Sequence, residues 1–205
     1  MTEQKAGVKA DPFCNRDPFP VITTRRLVLR QFSRDDAPLL HAIWSDPVVM
    51  EFMTLDPFGA EEETVAMIDL LKGLHERGEG IRWVITMLSD RTVMGTCGFH
   101  NWKKEHFRAE TGYELGKYHW GKGYMKEAMS AALEYGFDGM GLNRIEAFVT
   151  EGNGRSLGLL KDLGFNTEGL LRNYEWARGK FQDQWVCSIL KSERAYGGLV
   201  AEVCR

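Results

Sequence analysis

A strand pattern, a turn carrying two glycines and a helical pattern follow one another without a break in Tyr113-Glu114-Leu115-Gly116-Lys117-Tyr118-His119-Trp120-Gly121-Lys122-Gly123-Tyr124-Met125. Such a junction belongs to chains that mix strands and helices. Glycine permits a positive φ and lets the backbone come close to a ligand. The first turn of the helix adds N–H groups without intrahelical partners and the positive end of the helix dipole. Together these predict an anion site, most naturally for a pyrophosphate. The plainer alternative is a glycine-rich turn that only caps the helix. Two nucleotide motifs fail on spacing, since the chain has neither G-x-x-x-x-G-K-[ST] nor a G-x-G-x-x-G inside a βαβ unit.

The pattern on either side supplies the rest of the fold. Leu27 to Gln31 alternates as a strand, and Ser33-Arg34-Asp35-Asp36 resembles a capping box opening a helix through Leu39, Leu40, Ile43 and Trp44. Ala60–Glu76 is a second helix, with Val65, Ile68, Leu71 and Leu74 at helical spacing and Glu61 to Glu63 at its start. Arg82–Leu88 and Thr92–Phe99 form a hairpin across Ser89-Asp90-Arg91, and Glu110–Lys117 is a fourth strand. A helix over Tyr124–Phe137 turns Ala128, Ala131, Ala132 and Tyr135 inward. Then come a strand over Asn143–Val149, a helix over Gly154–Leu163, and strands near 165–175 and 180–190. A meander followed by strand–helix–strand–helix–strand predicts an α/β (mixed α+β) domain, a mixed sheet with helices on both faces. Its expected bounds are 21–192, between an N-terminal tail, 1–20, and an extension, 193–205, that reads as a short helix or a frayed end. Asp11-Pro12-Phe13, Asp17-Pro18-Phe19 and Asp56-Pro57-Phe58 repeat one tripeptide, read as turn chemistry with a phenylalanine docked on the domain.

Composition narrows the function classes. With 43% hydrophobic residues among 205, the chain can build a sizeable core. A net charge of −3 argues against coating nucleic acid or anionic membrane. No apolar run approaches the roughly 18 residues of a membrane span, and Met1–Ala10 has no signal-peptide core. Cys14, Cys97, Cys187 and Cys204 show no C-x-x-C pairing. The expectation is a reduced, cytoplasmic protein without direct nucleic-acid or membrane partners, a monomer or a homodimer.

Strand, then (Q/R)-x-x-G-x-(G/A), then helix resembles the acetyl-CoA motif of the GNAT acyltransferases. Gly121 and Gly123 fill the small positions, and Tyr118 stands where Gln or Arg is usual. Trp120-Gly121-Lys122-Gly123-Tyr124 with Glu127-Ala128 is similar to the RimJ/RimL branch, the ribosomal-protein N-terminal acetyltransferases. Three further blocks resemble that branch in register: Thr24-Arg25-Arg26-Leu27-Val28-Leu29-Arg30, then Asn153-Gly154-Arg155-Ser156 through Gly164-Phe165, then Glu168-Gly169-Leu170-Leu171-Arg172 with Gly179 to Asp183.

The resemblance implies a central, mostly antiparallel twisted sheet of about seven strands, splayed at the fourth. It implies direct attack of an amine on the thioester of acetyl-CoA, the co-substrate, with no acyl-enzyme. Tyr113, Glu114 and Leu115 would lie beside the pantetheine arm, a backbone N–H there polarising the thioester carbonyl. The amides of Trp120, Gly121, Lys122, Gly123, Tyr124 and Met125 would hold the pyrophosphate. The Lys122 side chain either adds charge or is simply solvated. Asn153 would cap its helix and touch the pantetheine arm, Ser156 would protonate the departing CoA thiolate or be an ordinary first-turn serine, and Glu175 would be the base or a surface salt-bridge residue.

Amine chemistry bears on the acceptor. An α-amine with pKa about 7.7–8.0 is roughly one-tenth neutral at pH 7, whereas a lysine amine near 10.4 is neutral at well below one part in a thousand. A protein N-terminus therefore needs only a modest base. A small amine, such as a polyamine, an aminoglycoside or an amino acid, remains the enzymatic rival, with Asp46, Glu51 and Asp56 as acids for a polycation. An acyl-CoA-binding sensor without chemistry is the other. No metal site is expected. Cys97 and His100, with His106 nearby, fall on opposite faces of a strand. Cys187 reads as buried, His119 as exposed, and Trp44, Trp83 and Trp102 as core or groove wall.

Overall fold

Nine strands among the described residues form one sheet in the order β7-β8-β6-β5-β4-β3-β2-β1-β9. The computed structural model describes residues 19–194 and the backbone of 202–204. The Asp11-Pro12-Phe13 turn and the rest of the tail to residue 18 lie outside that range. In chain order the elements are β1 (Val21–Thr23), β2 (Leu27–Arg30), α1 (Ala37–Trp44), α2 (Glu61–Glu76), β3 (Ile81–Met87), β4 (Val93–Lys103), β5 (Arg108–Leu115), α3 (Tyr124–Asp138), β6 (Arg144–Thr150), α4 (Gly154–Asp162), β7 (Asn166–Ala177), β8 (Lys180–Leu190) and β9 (Glu202–Cys204). The strand expected as the fourth is thus β5. Two three-residue strands extend the expected seven: β1, and β9, which lies antiparallel to it where a short helix or a frayed end was expected.

The Ser33 box forms as its sequence predicts, with Asp35 N–H donating to Ser33 Oγ at 3.3 Å and Ser33 N–H to Asp36 Oδ2 at 2.8 Å. It opens a 3-10 turn over Arg34–Asp36, and α1 proper starts only at Ala37. Helices α3 and α4 cover one face of the sheet. There Trp83, Phe99, Met129 and Phe137 are buried against Ala128, Ala131 and Ala132, whose small side chains let α3 sit close. Burying each of those phenylalanines contributes about 1.5–3 kcal/mol. Helices α1 and α2 close part of the other face over Leu40, Trp44, Ile68, Val84 and Val93.

Two of the repeated tripeptides dock their aromatic as expected. Phe19 packs edge-on to His75 and Trp83 at 5.1 and 6.2 Å, beside a bond from Trp83 Nε1 to the Pro20 carbonyl. Phe58 packs edge-on to Trp44 at 5.6 Å. No helix among the described residues is long and apolar enough to cross a membrane.

The feature that positions the site is the β5–β6 pair, the only parallel one among the described residues. It holds through Arg108↔Arg144, Ala109↔Ile145 and Glu110↔Glu146, then ends. β5 runs on to Leu115 and β6 to Thr150 with no further pairing between them. A V therefore opens in the middle of the sheet.

Candidate active site

A cleft of about 490 Å³ occupies that V, walled by the end of β5, the glycine loop, the start of α4 and the segment between α1 and α2. Backbone geometry arms its β5 wall. Leu115 lies opposite Gly95 and Glu114 opposite Thr96, with Gly116 N–H donating to the Met94 carbonyl at 2.8 Å. Antiparallel alternation then aims the N–H and carbonyl of Glu114 at β4, and those of Tyr113 and Leu115 at the opening. The Leu115 carbonyl is taken by Trp120 Nε1 at 2.6 Å. N–H donors at Tyr113 and Leu115 therefore face the cleft while the competing carbonyl of Leu115 is occupied.

The side chains of β5 divide between the two faces. Tyr113 points to α4, where its hydroxyl lies 2.8 Å from Ser156 Oγ. Asn153 caps α4, its Oδ1 accepting from Ser156 N–H at 3.1 Å, which fixes the serine in the first turn. Burial pushes the Tyr113 phenol up to about 12, with the bond to Ser156 acting in the opposite sense. The phenol is therefore protonated at neutral pH. Glu114 turns the other way and is buried. Trp44 Nε1 donates to it at 2.9 Å, and the Thr96 hydroxyl and Arg82 guanidinium also donate. Its carboxylate ties β5 to α1, β3 and β4.

The glycine loop has the conformation its composition demands. Gly121 and Gly123 sit at φ +73° and +75°, and nothing lies within 4 Å of where a Cβ on Gly121 would stand. The Trp120 N–H closes a 3-10 turn onto Lys117 O at 3.2 Å, and α3 starts at Tyr124. Lys122 is exposed and bonds back to the Tyr118 carbonyl at 2.9 Å, and Tyr118 itself is 79% exposed. Two arginines not singled out from sequence flank the loop. Arg155 lies over the Trp120 ring at 4.2 Å. Arg26 pairs with Glu127 at 2.6 Å. Both stood inside quoted motifs, and that was the available signal.

Glu175 sits apart from the lining residues, on the face opposite Tyr113 and Ser156. Gln184 Nε2 donates to it at 2.9 Å and to Thr150 Oγ1 at 3.1 Å, and the Thr150 hydroxyl donates to the Phe52 carbonyl at 3.3 Å. Burial, and secondarily the neighbouring Glu110, raise its carboxyl above the usual range. A hydroxyl pair thus lines the opening on one face, and on the other the chain that starts at the Glu175 carboxylate ends on the carbonyl of Phe52, a lining residue.

Two of the three acids of the acceptor side have side-chain partners. Asp46 pairs with Lys117 at 2.8 Å, which holds its carboxyl below the usual range. Asp56 lies 3.8 Å from Arg178. Arg178, at the β7–β8 turn, also donates to the Met50 and Glu51 carbonyls, so the hairpin tip is tied to the α1–α2 segment. Glu51 offers that bond through its backbone. Cys97 lies in the core and His100 on the opposite face, 3.4 Å from Glu110. Cys187 is buried beside Thr167, and His119 lines the cleft edge-on to Tyr124. Trp83 belongs to the core and Trp44 to the α1 side of the β5 wall, while Trp102 is half-buried against the core.

A model of the acetyltransferase (GNAT) domain matches residues 26–166. An uncharacterized N-acetyltransferase, p20, of Bacillus licheniformis is 43% identical over 172 residues, covering 84% of this chain and 97% of the relative. The [ribosomal protein uS5]-alanine N-acetyltransferase of Escherichia coli is 30% identical over 125 residues, 60% of this chain and 64% of that one. Among solved structures, a GNAT-family acetyltransferase from Bacillus anthracis superposes with TM-score 0.76 at 27% identity, over 84% of this chain and 99% of the other. Two structures containing CoA share the fold. One is the ribosomal L7/L12 α-N-protein acetyltransferase RimL, with TM-score 0.75 and 22% identity over 83% and 97% of the two chains. The other is a spermidine N-acetyltransferase from Vibrio cholerae, with TM-score 0.72 and 24% identity over 82% and 96%.

Proposed function

Since the chain belongs to the GNAT acetyltransferase family, we propose that this acetyltransferase carries an acetyl group from acetyl-CoA straight to the N-terminal α-amine of a protein, a ribosomal protein being the class its relatives suggest. The observation that carries the reading is the Tyr113–Ser156 hydroxyl pair, set across the V from backbone donors on β5. In this reading the amides of the glycine loop take the pyrophosphate and the pantetheine arm runs along Tyr113–Leu115. A β5 N–H facing the cleft polarises the thioester carbonyl, where charge grows as the amine attacks. The C–N bond forms, the C–S bond breaks, and CoA leaves as a thiolate.

Burial keeps the Tyr113 phenol protonated, so the hydroxyl pair has a hydrogen to offer where the departing charge grows. It donates a hydrogen bond that stabilises the thiolate as it departs, in place of the full proton transfer that the resemblance implies for Ser156. Glu175 takes the ammonium proton from the other face, directly or through water, and its raised pKa suits a base for an α-amine.

Asp46 bound to Lys117 and the fully bonded Glu114 carboxylate favour a chain end over a polycation, which would be left with Glu51 and the exposed Asp56. Release of CoA thiol tests this directly, with peptides beginning in free Ser, Ala or Met, the same peptides N-terminally blocked, and spermidine. Turnover is expected on free N-termini alone. Turnover on spermidine alone would move the acceptor to the small amines, and acetyl-CoA binding without turnover on any amine would favour a sensor.

A further inference from the structure

We propose that Arg26 is a positioning residue for the glycine loop, fixing the Lys122–Gly123 peptide so that its amide faces the pyrophosphate. The inference rests on the loop being the pyrophosphate site. The loop's own bonds, Trp120 N–H to the Lys117 carbonyl and Lys122 Nζ to the Tyr118 carbonyl, do not engage the Lys122 carbonyl. Both glycines are in the left-handed region, where they lose more conformational entropy than any other residue, and the space above Gly121 is empty.

Arg26 supplies what the loop lacks, from a part of the chain about a hundred residues away. Its own position is fixed by Glu127, in the first turn of α3 and 9% exposed. Arg26 Nε lies 2.6 Å from Glu127 Oε2, while the Arg26 backbone N–H and the Thr24 hydroxyl donate to Oε1 at 2.8 and 2.7 Å. From that anchor Nη1 donates to the Lys122 carbonyl at 3.1 Å, and Cζ sits 4.5 Å over the Tyr124 ring. A trans peptide is planar, so its carbonyl and the next N–H point in opposite directions. Drawing the Lys122 carbonyl toward Arg26 turns the Gly123 N–H away from it, to the open side of the loop. One guanidinium thus orients the turn residue, the first helical ring and the helix itself.

The test compares donors with and without a pyrophosphate. Calorimetry gives Kd for acetyl-CoA and for acetyl-pantetheine, the thioester arm alone, in the wild type and in Arg26→Gln. The wild type should prefer acetyl-CoA. In Arg26→Gln the acetyl-CoA Kd should rise about tenfold or more, the scale of a lost charge-assisted bond, and the ratio of the two affinities should fall by the same factor. Arg26→Lys keeps the charge but replaces the rigid fork, whose Nε and Nη1 serve Glu127 and the Lys122 carbonyl separately, with one flexible ammonium, so it should share the loss. It also answers the question if the glutamine variant does not fold. An equal loss for both donors, or an unchanged acetyl-CoA Kd, would overturn the positioning role. A wild type indifferent to the pyrophosphate would instead overturn the loop assignment, before any substitution is made.

Discussion

A hydrogen bond to a departing thiolate has a recognisable size. Replacing Ser156 by Ala or Tyr113 by Phe should lower kcat about tenfold each, with acetyl-CoA affinity nearly intact. Because the two hydroxyls act as one unit, the double variant should lose little more than either single one, and a fully additive loss in steady-state rates would separate them. Glu175 is tested by pH. As a base it must be ionised, and its carboxyl is raised by burial and by Glu110, so wild-type activity should fall as pH drops through that raised value. Glu175→Gln should cost most between that value and the acceptor amine's own pKa, where the amine still needs a proton removed. A ratio of mutant to wild-type rate that stays flat across pH would remove it from the mechanism. Asn153 and Ser156 were legible from sequence because a cap and its first turn are local. The Tyr113 side chain and Arg26 were not. Their partners lie 43 and 101 residues away, and no periodicity within a strand reports on such contacts.

At the level of elements, the glycine loop separates strain from charge. Gly121→Ala meets no atom within 4 Å and carries only the cost of a positive φ, about 1–2 kcal/mol. Gly121→Asp adds a carboxylate where the proposed pyrophosphate lies. Calorimetry should show acetyl-CoA binding weakened about tenfold by alanine and far more by aspartate; equal effects would mean that the loop receives no anion. The long elements, β3 to β8 and all four helices, carried enough periodic positions to be read within a few residues. The three-residue strands β1 and β9 did not, since so short a strand has almost no alternation to display. The 3-10 turn before α1 was hidden for a similar reason, because the Ser33 cap signals where a helical turn starts but not how tightly it winds.

On the scale of the whole molecule, the order of strands and helices implied helices on both faces of the sheet, and Phe19 and Phe58 docked as their turns suggested. What the chain order did not display was which side chains stand on each face where β5 and β6 part. The hydroxyl pair lines that gap on the α4 side, and on the other face the chain from Glu175 through Gln184 and Thr150 ends on the Phe52 carbonyl. In the proposed reaction donor and acceptor are then aboard together, each on its own side. Cys97, buried and pushed up to about 12 by that burial, offers no thiolate to carry an acetyl group between them. On the proposed direct transfer, the parting of two strands sets an order of events in time. Neither product leaves before both reactants have arrived, and reciprocal plots of initial rate at several fixed acceptor concentrations should intersect; parallel lines would require a covalent way-station.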